Sequence, residues 1–88
     1  MQPEPIEGQP EIEYPCQWEF KVIGTDEAAL RRAIEEIVGD RPHELTFSHR
    51  SRGGKYSSLR LSVHVDDEEC RNAIFVALRE RDEVATLL

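Results

Sequence analysis

The stretch CQWEFKVIGTDEAALRRAIEEIVGD, residues 16–40, changes its hydrophobic period part-way along. In its first part Trp18, Phe20 and Val22 alternate with polar neighbours, which predicts a strand with one buried face. In its second part the apolar residues recur at the spacing of one helix face, until Gly39 breaks the pattern. A strand followed directly by an amphipathic helix is therefore the first structural unit. The apolar stripe of the predicted helix contains Leu30, Ala33, Ile34, Ile37 and Val38.

The rest of the chain supplies two further strands, a second helix and a last strand. LTFSHRS (residues 45–51) and YSSLRLSVHV (residues 56–65) alternate between apolar and polar positions in the same way. A second helix is predicted to begin near Asp66 or Asp67, and VATLL (residues 84–88) reads as a short final strand. Thr25 is the predicted N-cap of the first helix, and at the start of the second Asp66 with Glu69 three residues on resembles a capping box. The outward face of the third strand is predicted to carry Ser58, Arg60, Ser62 and His64.

The order strand, helix, strand, strand, helix, strand defines the fold class. Each strand has one apolar face, so both helices should cover the same side of the sheet. This predicts an α+β, ferredoxin-like βαββαβ sandwich, with a four-stranded antiparallel sheet in the order 4-1-3-2 and two helices on one face. With 88 residues the chain has room for one domain. We assign that domain to residues 16–88, and we predict that residues 1–15, acidic and proline-rich, form a disordered tail.

Charge is unevenly distributed along the sequence. The net charge is -7, yet residues 45–65 contain four basic residues and no acidic one. The overall acidity gives no long-range attraction to nucleic acid or to anionic lipid, and no apolar stretch reaches the ~20 residues that cross a bilayer. Only Tyr56 is placed to stack on a base, because the aromatic residues of the first strand point inward. A cytoplasmic location is the expectation, with Cys16 and Cys70 as free thiols.

Three segments, YPCQWEFKVIG, SRGGKYSSLRLSV and DEVATLL, together resemble the YbeD-like family of small bacterial proteins of unknown function. The resemblance covers residues 14–88 and includes the glycine-then-tyrosine hairpin at Gly54 and Tyr56. That family is similar to the ACT regulatory domains, which share the ferredoxin-like fold and bind small effectors such as amino acids. The resemblance implies an effector site in the loop after the first strand, often at a dimer interface. In this sequence that loop contains Gly24, Thr25 and Asp26.

Enzymatic and metal-binding versions of this fold need residues that the sequence does not supply in the required places. An acylphosphatase-like hydrolase needs an anion cradle before the first helix, where Asp26 and Glu27 oppose the attraction of the helix dipole for phosphate. Arg31 and Arg32 lie too far into that helix to complete the cradle. The cysteines and histidines show no metal-ligand spacing. We therefore predict no catalytic residue, no metal and no cofactor, and keep the hydrolase as a second alternative.

The basic segment contains the Gly53–Gly54 pair, which predicts a hairpin turn. A three-residue loop, Arg52-Gly53-Gly54, with Gly54 in a left-handed bulge position, pairs Phe47 with Leu59. It also places Lys55 opposite Ser51, and Arg50 beside Tyr56 on the open face of the sheet. The four basic residues predicted to contact a partner or an anion are Arg50, Arg52, Lys55 and Arg60.

Two roles for this basic segment remain open. It could bind an acidic partner, or it could be a solubilising edge that discourages pairing between sheets. The leading hypothesis is a non-enzymatic regulatory or interaction module for a small effector or a protein partner, with homodimer formation possible. The alternative is a nucleic-acid-binding module that uses the basic hairpin.

Overall fold

The computed structural model describes residues 12–88, so most of the predicted tail lies outside the described part of the chain. Its elements follow the predicted order of strands and helices. They are β1 (Cys16–Gly24), α1 (Glu27–Val38), β2 (His43–Arg50), a 3-10 turn (Arg52–Gly54), β3 (Ser57–Val65), α2 (Glu68–Arg79) and β4 (Thr86–Leu87).

The four strands form one antiparallel sheet in the order β2-β3-β1-β4, which confirms the predicted topology. In the central pair of strands Phe20 lies opposite Leu61, and Lys21 lies opposite Arg60. The first pair points to the helices and the second to the open face, as the alternation predicts. β4 is shorter than predicted, and main-chain hydrogen bonds between Leu88 and Lys21 continue its pairing with β1.

The core lies between one face of the sheet and the two helices. Its strand residues are the inward set of β1 and β3, and its helix residues are the predicted stripe of α1 with two residues of α2. Removing this apolar surface from water is the main source of stability for the fold. The fully or almost fully buried apolar side chains are Phe20, Val22, Leu30, Ala33, Ile34, Val38, Leu59, Leu61, Val63, Val65, Ile74 and Leu78.

The cap of α1 lies one residue after the predicted Thr25, and α2 begins within the predicted range. Asp26 caps α1, since its Oδ1 accepts a hydrogen bond of 3.1 Å from the main-chain N–H of Ala29. Asp67 caps α2 in the same way, with 2.8 Å to the N–H of Cys70. The prediction of Thr25 as a cap was wrong, whereas for α2 the structure uses Asp67, one of the two predicted starts, and not the Asp66–Glu69 capping box. For α1 the reason is that a carboxylate satisfies the first free N–H groups better than a threonine hydroxyl does.

The hairpin between β2 and β3 differs from the predicted three-residue loop. Ser51 pairs with Tyr56: the N–H of Ser51 donates to the Tyr56 carbonyl at 2.8 Å, and the N–H of Tyr56 donates to Ser51 Oγ at 2.9 Å. The loop therefore has four residues, of which Gly53 and Gly54 have φ values of 85° and 78°. A bulge at Ser48 absorbs the extra residue, so the predicted pairing of Phe47 with Leu59 is nevertheless confirmed.

The bulge also reverses the face of the residues that follow it. Arg50 lies opposite Ser57, which is on the helix side of the sheet. The prediction that Arg50 and Tyr56 are neighbours on the open face was therefore wrong. A single inserted residue moves every later side chain to the other face, because side chains in a strand alternate with a period of two.

Arg81 connects the end of α2 to α1 and to the segment before β4. Its guanidinium forms two hydrogen bonds with the carboxylate of Glu83, at 3.1 and 3.2 Å, and one of 2.9 Å with Glu36. Its hydrogen bonds hold the pKa of Glu83 below its usual range. The main-chain carbonyl of Glu83 packs so closely on Gly24 that a Cβ atom there would clash with it.

Within residues 12–88, no helix has the length and apolar character to cross a membrane.

Candidate functional site: a cleft on the open face of the sheet

The four predicted basic contacts do not form one patch. Arg50 lies on the helix side, where its guanidinium donates to Glu27 Oε1 at 3.4 Å and to Ser57 Oγ at 3.1 Å. Arg60 lies on the open face, and its Nε is 2.7 Å from Glu19 Oε2. Two of the four positive charges are therefore paired with carboxylates on opposite faces of the sheet.

Arg52 and Lys55 remain at the tip of the hairpin. Neither forms an ion pair with any residue in the range 12–88. The ammonium group of Lys55 lies 5.4 Å from the centroid of the Tyr56 ring, a cation–π arrangement. Both residues are exposed, so their charges are available to a ligand or a partner.

Two of the three residues predicted to contact an effector in the loop after β1, Gly24 and Asp26, have structural roles. Gly24 is buried against the Glu83 carbonyl and the side chain of Leu30. The Asp26 carboxylate accepts the capping hydrogen bond of α1, and Thr25 is exposed. An effector at this loop remains a prediction from the resemblance.

A cleft of about 240 Å³ opens on the other face of the sheet, close to the hairpin. One residue from each strand forms a row across it: His49 of β2 faces Ser58 of β3, Ser58 faces Ile23 of β1, and Ile23 faces Thr86 of β4. The remaining lining residues are Ser51, Tyr56 and Ser57. Because the row lies on strands joined by main-chain hydrogen bonds, its side chains are held in fixed relative positions.

Ser58 is the unusual member of this row. Although it belongs to the open face, it is only 3% exposed, and its Oγ has no hydrogen-bond partner among the described residues. Its neighbour Ser57 is equally buried, but there Oγ accepts a hydrogen bond from Arg50. A buried hydroxyl without a partner costs about 1–3 kcal/mol of desolvation free energy. The Ser58 hydroxyl is therefore an unused polar group in the wall of the cleft.

The charge around the cleft is positive or neutral. No Asp or Glu is among its lining residues. In the next row of the open face Lys21 lies directly opposite Arg60, an arrangement that destabilises an antiparallel pair. The diagonal ion pair between Arg60 and Glu19 offsets part of this repulsion, whereas Lys21 forms no ion pair within the described part of the chain.

A second cleft, of about 470 Å³, lies between β1 and α2. It is lined by Trp18, Phe20 and Phe75, and the guanidinium of Arg71 stacks on the Trp18 ring at 4.5 Å from its centroid. Its walls are largely apolar, and its polar side chains already have partners: Arg71 donates to Asn72 Oδ1, and Glu19 pairs with Arg60. It contains no buried hydroxyl without a partner among the residues described.

Nucleophilic and metal chemistry have little support in the described residues. Ser58 and His49 face each other, but no hydrogen bond joins them, so His49 is not in place as a base to activate the Ser58 hydroxyl. Between residues 12 and 88, no group of three or more His, Cys, Asp or Glu side chains could hold a metal ion. Cys16 and Cys70 are both free, and both are partly buried against the core.

The family model described as "Protein of unknown function (DUF493)" matches residues 9–88 of the chain. The chain belongs to this family. Its relatives include "Uncharacterized protein Cj0253" of Campylobacter jejuni, 36% identical over 76 residues that cover 86% of this chain and 87% of the relative. Another is a "UPF0250 protein" of Hahella chejuensis, 34% identical over 83 residues, with 90% of this chain and 91% of the relative covered.

A solved structure supports the same assignment. The solution structure of protein HP0495 from Helicobacter pylori has a TM-score of 0.79 and 32% sequence identity, and the match covers 100% of this chain and 98% of that one. A second solution structure of HP0495 has a TM-score of 0.66 and covers 94% and 96%. The predicted YbeD-like family is thus confirmed, as the small DUF493 (UPF0250) proteins of unknown function.

The sequence did not identify the cleft. It placed Ser58 on the open face correctly, but it gave no sign that the neighbouring strands would bury the hydroxyl. His49 and Thr86 were also not singled out, since they meet Ser58 and Ile23 only through the strand register. These residues can be recognised as a row only when the pairing of all four strands is known.

Proposed function

We propose that this member of the DUF493 family is a non-enzymatic, cytoplasmic regulatory module that binds a small effector in the cleft on the open face. The single observation that carries the proposal is the Ser58 hydroxyl, which is buried, lines the cleft and has no hydrogen-bond partner among the described residues. Polar groups of this kind are rare in folded proteins, and a ligand that bonds to the hydroxyl would remove the penalty.

The composition of the cleft fits a binding site. Its wall is mostly apolar surface, to which Ile23 contributes, and it carries a few hydroxyls and one imidazole, as small-molecule sites commonly do. Its volume of about 240 Å³ lies below the roughly 300–1,000 Å³ of pockets for drug-sized ligands. We therefore expect an effector no larger than a small metabolite.

The proposal assigns binding without chemistry. Catalysis by Ser58 would need a base within hydrogen-bond distance of its hydroxyl, and His49 makes no such contact. The basic hairpin supports the nucleic-acid alternative weakly, because Arg50 and Arg60 are each paired with a carboxylate. A strand of phosphates would have to compete with both pairs.

A titration monitored by NMR tests the proposal. The ¹⁵N-labelled protein is titrated with a panel of small anionic, neutral and cationic metabolites, and the amide shifts are followed at His49, Ser58 and Thr86. We expect at least one compound to produce saturable shifts centred on these three residues. The substitution Ser58→Ala should weaken its binding by about three- to tenfold, the equivalent of one lost hydrogen bond.

Ser62→Ala is the matched control, because Ser62 lies on the same face of β3 but outside the cleft. It should leave the affinity unchanged. The proposal fails if no compound in the panel shifts the row, or if a bound compound is turned over. RNA binding at micromolar concentration that weakens steeply with salt would favour the nucleic-acid alternative instead.

A further inference from the structure

We infer that the effector carries an anionic oxygen group, a carboxylate or a phosphate, held in the open-face cleft between Lys55 and the neighbouring Lys21–Arg60 row. The inference rests on the proposed function, since it names the chemical class of the ligand for the same site. Three features of the open face support it: the hydrogen-bond donors of the cleft, the unpaired ammonium groups beside it and the facing cations of the next row.

The hydroxyls of the cleft have donor capacity to spare. Ser51 Oγ accepts from the main-chain N–H of Tyr56, and its O–H proton remains free to donate. Ser58 uses neither its proton nor its lone pairs within the described structure. A ligand group that only accepts hydrogen bonds, such as a carboxylate or phosphate oxygen, matches this excess of donors.

Positive charge flanks the cleft on two sides. On the hairpin side, the Lys55 ammonium lies over the ring of Tyr56, which lines the cleft. On the strand side, Lys21 precedes Ile23 by two residues, so it occupies the next row of the same face, about 7 Å away. No carboxylate lines the cleft to repel an anion.

The row of Lys21 and Arg60 gives an independent reason. Two like charges directly opposite each other destabilise a pair of strands, and only Arg60 has a carboxylate neighbour, Glu19. An anion at the adjacent end of the cleft would lower this repulsion. The unpaired hydroxyl and the facing cations would thus be stabilised by the same ligand.

The net charge of -7 does not oppose the inference. At physiological ionic strength the Debye length is about 8 Å, so exposed charges farther than this from the cleft are largely screened. Lys55 and Lys21 lie within roughly one Debye length of the cleft. Local charge therefore decides the preference for an anion.

The test compares three probes on the full chain: butyrate, its neutral isostere butyramide, and inorganic phosphate. Amide shifts of Ser58 and Thr86 give the dissociation constants. We expect butyrate or phosphate to bind at least about tenfold more tightly than butyramide, as a charge-assisted hydrogen bond predicts. The tighter of the two anions identifies the group that the cleft recognises.

Two variants locate the charge. Lys55→Gln should weaken the binding of the preferred anion by about three- to tenfold and leave butyramide unchanged. Arg79→Gln is the control, because Arg79 is also a cation stacked on an aromatic ring, Phe75, but it belongs to α2 on the opposite side of the sheet. It should change neither affinity.

The outcomes separate the inference from the proposed function. If butyramide binds as tightly as butyrate and phosphate, or if only cationic or neutral members of the wider panel shift the row, the anion is refuted while the cleft remains a binding site. If Lys55→Gln and Arg79→Gln have the same effect, the assigned location of the charge is wrong. If nothing in the panel shifts the row, the proposed function fails as well.

Discussion

Two adjacent buried serines of β3 allow a sharp test of the structural reasoning behind the cleft. Ser57 and Ser58 are 1% and 3% exposed, so the two side chains lose nearly the same contact with water on folding. They lie on opposite faces of the sheet and differ in their hydrogen bonds: Ser57 Oγ accepts one of 3.1 Å from Arg50, whereas Ser58 Oγ has no partner among the described residues. Replacing each by alanine removes only the hydroxyl.

The expected changes in the free energy of unfolding have opposite signs. Ser57→Ala removes a hydrogen bond to a charged group, nominally ~1.5–3 kcal/mol, which we reduce to about 1 kcal/mol because half of the Arg50 side chain is exposed. Ser58→Ala removes a penalty of roughly 1–3 kcal/mol and loses a few contacts of one oxygen, so a net gain of about 1 kcal/mol is expected. The difference between the two variants is about 2 kcal/mol.

Urea denaturation monitored by circular dichroism measures this difference directly, provided that both variants keep the wild-type dependence on urea concentration. In a thermal melt the same difference corresponds to about 8–16 °C for a domain of this size. The reasoning is refuted if Ser58→Ala destabilises the protein as much as Ser57→Ala does. That result would mean that the Ser58 hydroxyl already has a bonding partner, for example a buried water.

Three further predictions test the packing and the charge pairs. Gly24→Ala should lower the free energy of unfolding by about 1–3 kcal/mol in urea denaturation, because its Cβ would clash with the carbonyl of Glu83; wild-type stability would refute the close packing. Arg50→Gln should destabilise by up to ~1 kcal/mol and Arg52→Gln by less than ~0.5 kcal/mol, since only Arg50 is bound to a carboxylate; equal effects in thermal melts would contradict the separation of the two charges. Arg81 holds the pKa of Glu83 below its ordinary value of 4.5, so the stability that this pair contributes is present above pH 4.5 and is lost as the pH falls further. Unfolding midpoints between pH 5 and pH 3 should therefore fall less steeply in Glu83→Gln than in the wild type, and parallel curves would exclude the pair as a source of acid sensitivity.

The fold could be predicted because its signals are local and repeated. The alternation of Trp18, Phe20 and Val22, followed by an apolar stripe at helical spacing, determines which face of each element is buried. Two such units leave few arrangements that bury both helices on one face, so the order of the strands followed. The pairing of Phe47 with Leu59 was also predictable, because both belong to the apolar face.

The hairpin could not be predicted in full, because a bulge in a polar segment leaves no mark on the hydrophobic pattern. Residues 48–51, SHRS, contain no apolar side chain that would show a change of face. The extra residue at Ser48 therefore went undetected, and Arg50 was assigned to the wrong side of the sheet. The predicted distribution of the basic charges was wrong for the same reason, because Arg50 can contact Glu27 only on the helix side.

The open face breaks two rules of stable sheet design, and both breaks lie at the same end. Ser58 keeps a buried hydroxyl without a partner in the described structure, and Lys21 faces Arg60 across the central pair of strands. Ser58→Ala would remove the first conflict and Lys21→Thr the second, each with an expected gain in stability. Local conflicts that survive in an otherwise consistent fold are expected where a surface has a function. One bound anion would satisfy the hydroxyl and neutralise the facing cations, so a single ligand accounts for both features where stability alone accounts for neither.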